Sequence, residues 1–127
     1  MLTVEEPRAG DALVVFSGLA AYERDNGPLQ ANRRPGLHAS CLPVVREWDC
    51  SLLVWDKQDL TPSGYDAVEW SVHGVLYAYG VGLVDGVALE PLVEQCRQQG
   101  RDEFLPLVMP LVITGGTASA VNPVAVF

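Results

Sequence analysis

Residues 65–89 read YDAVEWSVHGVLYAYGVGLVDGVAL, and whether this stretch is strand or helix decides the fold. Val68, Trp70 and Val72 share one face of an extended chain, as do Leu76, Ala78 and Gly80 once a bend at Gly74 is allowed. Val75, Tyr77 and Tyr79 occupy the opposite face. Apolar or aromatic residues on both faces predict a central strand over 66–84, and the glycines at 74, 80, 82 and 86 permit twist, bulges or close packing. The surroundings are one-signed. Between Lys57 and Arg97 there is no Lys or Arg, while Asp59, Asp66, Glu69, Asp85, Glu90 and Glu94 fall within the same stretch.

Working outward, residues 12–17 (ALVVFS) follow the turn-like PRAGD and read as a first buried strand, and GLAAYERDNG (18–27) as a single helical turn stopped by Gly27 and Pro28. GPLQANRRPG (27–36) is polar and bracketed by Gly-Pro and Pro-Gly, and is expected to be a mobile loop. Residues 37–56 supply strand-prone apolar mass, with Pro43 marking an edge strand or a bulge, and KQDLTPSGYD (57–66) reads as a turn region. One helix is expected at about 90–99. Leu89, Leu92, Val93 and Cys96 recur at helical spacing, Pro91 suits the first turn, Glu90 and Glu94 the N-terminal end, Arg97 the C-terminal end, and Gly100 the left-handed stop. FLPLVMPLVIT (104–114) reads as a strand pair or a proline-broken edge strand, TGGTAS as a turn, and NPVAVF as a terminal strand. Together these features predict a β-rich α+β single domain over 1–127. Its sheet is expected to be twisted and mostly antiparallel, or a partly open barrel, with one packed helix.

The composition narrows the function classes. The chain has 127 residues, 49% of them hydrophobic and 19% charged, enough for one core without disulfides or metals. A formal net charge of -8 disfavours nucleic acid and anionic lipid as partners. Three cysteines, an odd number, suit reduced conditions and a cytoplasmic location. The N-terminus lacks the basic start of a signal peptide. Neither long uncharged run, 70–84 or 104–127, suits a bilayer crossing, the first being shorter than the roughly 20 residues required and the second being broken by prolines and glycines.

Several constellations could carry chemistry. Trp48-Asp49-Cys50-Ser51-Leu52-Leu53-Val54 resembles the Asp-Cys-Ser-x-Leu-Val segment of cysteine peptidases of the NlpC/P60 type, in which the cysteine opens a helix and a later histidine is the base. That resemblance implies Cys50 as nucleophile, His73 as base and Asp85 as orienter. It covers seven residues, and 22 residues separate Cys50 from His73 where the family places a much longer segment. Read on its own residues, Cys50 is a structural cysteine in a strand flanked by Trp48 and Trp55. His38, Cys41 and Cys50 form a His-x2-Cys set for zinc, but no CxxC accompanies it, so no metal is expected. Asp56 with Asp59 and Asp66 with Glu69 read as solvated acids. GVGLVDG is not GxGxxG and no GxxxxGK[ST] occurs, so no nucleotide cofactor is expected.

These readings favour a non-enzymatic protein-interaction or assembly module that associates with itself or with another protein. Its contact residues would be Trp55, Trp70, Tyr77 and Tyr79, with Arg33 and Arg34 in a small basic patch. The alternative is a small ligand-binding domain or cysteine-dependent hydrolase using Cys50 and His73.

Overall fold

The strand Leu52–Trp55 (β3) lies at the centre of a three-stranded sheet. Its sequence, LLVW, has no polar position to turn toward water, and Leu53, Val54 and Trp55 are all buried. A continuous apolar run of this kind is the mark of a parallel strand covered on both faces. Ala12–Val15 (β1) pairs with it in parallel from Ala12 opposite Leu52 to Val15 opposite Trp55. On the other side, Gly82–Val84 (β5) is also parallel, from Gly82 opposite Leu52 to Val84 opposite Val54. Gly82 allows this close approach, since a Cβ there would stand 3.0 Å from Leu52 Cδ1. The structure, a computed structural model, describes residues 7–30, 32–65 and 71–127.

Parallel neighbours require crossovers, and the crossovers contain the helices that the sequence reading lacked. Between β1 and β3 run Leu19–Asn26 (α1), the short strand Gly36–Leu37 (β2), a 3-10 turn at Ala39–Cys41 and Leu42–Glu47 (α2). Between β3 and β5 run Gln58–Asp59 (β4), which pairs in parallel with β2, a 3-10 turn at Val72–Gly74 and Val75–Tyr79 (α3). The chain is α+β, but the expected mostly antiparallel sheet or partly open barrel is corrected to an open parallel sheet here and a separate antiparallel pair near the C-terminus.

Two segments account for the correction. Pro43 sits in the first turn of α2, where its missing N–H costs no hydrogen bond, and does not mark a strand edge. Residues 72–79 are helical, so the strand expected over 66–84 is reduced to 82–84; residues 66–70, including Trp70, lie outside the described residues. Val72 and Val75, both fully buried, stand three apart on one helical face, while Leu76, Tyr77 and Tyr79 face outward. Gly80, with φ 70°, ends α3 in the left-handed conformation.

The core beneath the sheet joins Val45 of α2, Cys50, Leu53, Trp55, Val72, Val75 and Val81, with Leu13, Val15, Leu37, Leu42 and Leu83 packed at its edge. These residues belong to a compact unit within Glu5–Leu89.

A second compact unit is formed within Glu90–Phe127. Glu90–Gln99 (α4) runs where the sequence placed it, with Glu90 in its first turn, Arg97 in its last and Gly100 at φ 67°. Leu105–Leu107 (β6) pairs antiparallel with Val124–Val126 (β7), Leu105 opposite Val126. Phe104 and Phe127 pack with ring centroids 5.6 Å apart and a tilt of 40°. Among the described residues no helix is long and apolar enough to cross a membrane.

Candidate active site

The carboxyl ends of β3, β4 and β5 bring together one histidine and two carboxylates. In open parallel sheets this edge is where ligand sites form, because the loops leaving the strands diverge there. Asp59 ends β4 and is 1% exposed. Its Oδ1 accepts the Val72 N–H at 3.0 Å, which fixes the start of the 3-10 turn carrying His73. Its Oδ2 lies 3.2 Å from His73 Nδ1, in contact but without the alignment of a hydrogen bond. An unpaired carboxylate this deep would be strongly disfavoured, and the imidazole is the counterpart that makes its burial tolerable.

Asp85 follows β5 directly and meets the other end of the ring. Its Oδ2 is 2.8 Å from His73 Nε2, and its Oδ1 accepts the indole N–H of Trp55, the last residue of β3. The Trp55 and His73 rings lie 6.3 Å apart at 48°. The His73 side chain is 23% exposed, Asp85 30% and Asp59 1%. The imidazole therefore spans the site from a buried carboxylate to one that reaches solvent. Both ring nitrogens face acceptors, so the site can hold a proton on either nitrogen and exchange one at its exposed end.

Cys50 has a different setting. It is buried in the hydrophobic cluster beside Val45 and Leu53, just before β3, and burial pushes its thiol pKa up. The charges of Asp11 and Asp49 push it up further, against a smaller lowering by a backbone hydrogen bond. This environment suppresses the thiolate that nucleophilic catalysis needs. Of the zinc set considered from sequence, His38 Nδ1 contacts Ser40 Oγ at 3.0 Å, and among the described residues no group of three or more His, Cys, Asp and Glu side chains is arranged to hold a metal ion.

The remaining candidate residues are scattered. Trp55, expected as an exposed anchor, is 1% exposed and structural, whereas Tyr77 is 86% exposed. Tyr79, Arg33 and Arg34 are also exposed. Asp56 and Asp59, read as solvated acids in a turn, are both buried. Asp59 is the site residue that sequence reasoning missed. Its signal was two acids three apart immediately after a wholly apolar strand, a place where turn solvation is a poor explanation.

No family model matches the sequence, and no curated protein matches it. A solved structure described as a novel cyclase does match, with a TM-score of 0.73 and 27% identity over 95% of this chain. The chain spans 40% of the length of that protein. This likeness overturns the expectation of a non-catalytic interaction module, since the fold that places His73, Asp59 and Asp85 is shared with an enzyme.

Proposed function

We propose that this domain supplies the acid–base centre of a cyclase-type enzyme, with His73 exchanging protons at its Asp85 end and Asp59 orienting the ring from the buried side. The observation that carries the reading is the single imidazole held between two carboxylates of unequal exposure at the carboxyl edge of a parallel sheet. The match to a solved cyclase supports it.

Ring closure by acyl transfer needs what this geometry offers. An internal hydroxyl or amine must lose its proton as it attacks a carboxyl carbon, and the departing oxygen must gain one, so that water leaves and a lactone or lactam forms. One positioned histidine can perform both transfers. Asp59 holds the ring through Nδ1, as the buried acid does in a nucleophile–histidine–acid triad. Asp85, oriented by Trp55, covers the exposed nitrogen until substrate displaces it. At 3.2 Å the Nδ1–Asp59 contact lacks only alignment, and catalytic contacts of this kind commonly tighten when substrate binds.

The test is turnover on a panel of open-chain hydroxy and amino acids and their matching lactones and lactams, followed by mass spectrometry as gain or loss of one water. Loss of turnover in His73→Ala and Asp59→Asn, with retention in Cys50→Ala, is the expected result. Retention in His73→Ala with loss in Cys50→Ala would return the chemistry to the thiol.

A further inference from the structure

A second feature of the same sheet edge lies one residue beyond Asp85. A cavity of about 250 Å3 opens between α1 and the ends of β3 and β5, walled by Leu19, Leu29 and Pro35 and reached by Lys57, Asp56 and Gly86. Gly86 follows Asp85, and its N–H donates to the Lys57 carbonyl at 3.3 Å, which ties this cavity to the loop that carries Asp85.

The charges around it are unequally satisfied. Asp56 accepts from the Ser17 N–H and hydroxyl and from the Gly18 and Leu19 N–H groups, at 2.8 to 3.2 Å, so its lone pairs are committed to the β1–α1 turn. Glu23, also on the wall, accepts the Leu29 N–H at 3.1 Å. Lys57 is half-buried, and its ammonium makes no hydrogen bond or ion pair among the described residues. Arg34 adds a second positive charge at the rim. A half-buried lysine with apolar walls, beside acids whose oxygens already accept backbone hydrogen bonds, is complementary to an anion with a compact apolar body.

We infer that this cavity captures the carboxylate of a small acidic substrate, with Lys57 as its counter-ion. That the reacting end of such a substrate then lies by His73 and Asp85 rests on the function proposed above; carboxylate capture does not.

Benzoate and benzamide, equal in shape and different in charge, are the probes. They are titrated into the 15N-labelled full chain at constant ionic strength. Benzoate is expected to give saturable shifts at the Leu19, Lys57 and Gly86 amides, with benzamide at least about tenfold weaker, and Lys57→Met is expected to weaken benzoate about tenfold while leaving benzamide unchanged. Absence of saturable shifts at these amides, equal affinity for the two probes, or unchanged benzoate affinity in Lys57→Met would each overturn the inference. His73→Ala keeps benzoate affinity on this account. A chain that binds benzoate through Lys57 yet performs no ring chemistry therefore refutes only the proposed function, and ring chemistry on acids whose KM is unmoved by Lys57→Met refutes only the carboxylate site.

Discussion

Asp59 has two tasks that substitution can separate. Its Oδ1 satisfies the Val72 N–H, and its Oδ2 faces His73. Asp59→Ala leaves a buried N–H without an acceptor and is expected to cost about 1–3 kcal/mol in urea denaturation. Asp59→Asn retains an acceptor for Val72 and is expected to keep most of that stability while losing the charge that holds the imidazole. Equal stability loss in both variants would show that the charge, not the backbone bond, carries the residue's structural role. Cys50 gives the opposite prediction. Its raised pKa means that the thiolate fraction stays below that of an ordinary cysteine, so alkylation stays slow at neutral pH and its rate rises only in more alkaline solution. A Cys50 alkylation rate at neutral pH above that of a free thiol would contradict the burial described for it. The sequence displayed Cys50 and His73 as the eye-catching pair because both are rare residue types. The partner that organises the histidine is a common aspartate, brought to it by the pairing of β2 with β4, a contact between residues more than twenty apart in the chain.

The elements that were legible had signals at their ends. β1 follows a turn and is continuously apolar, and α4 carries a first-turn Glu90, a last-turn Arg97 and a terminating Gly100. α2 and α3 are short and largely apolar, LPVVRE and VLYAY, and in so few residues two-residue and helical periodicities cannot be told apart. What decides them is tertiary: Val45 and Val75 each reach the same buried cluster from a helix. The parallel sheet was hidden for the same reason, since without those helices its strands have no crossovers. At this scale the Asp56 carboxylate is the clamp on the β1–α1 turn. Asp56→Ala releases three backbone amides and a hydroxyl at the helix start and is expected to cost at least about 1–3 kcal/mol. The accompanying change in hydrogen exchange should be concentrated in residues 17–22. Uniform loss of protection along the chain would argue that the turn has no local identity.

For the molecule as a whole, β3 joins structure to chemistry. Leu53 is fully buried in the central strand, and two residues later Trp55 both fills the core and donates its indole N–H to Asp85. Leu53→Ala is expected to lower stability by about 2–5 kcal/mol. The site stands on the rigid edge of this sheet, and the match to a solved cyclase covers the same scaffold. The measurement that bears most directly on the account is the side-chain 15N spectrum of the two histidines, His38 and His73, in the wild type, Asp59→Asn and Asp85→Asn. The account predicts that Asp59→Asn changes chiefly the Nδ1 resonance of His73, that Asp85→Asn changes chiefly its Nε2 resonance, and that His38 serves as an unmoved internal reference. His73 resonances indifferent to both substitutions would show that the imidazole is not held between the two carboxylates, and the proposed acid–base centre would fall with it.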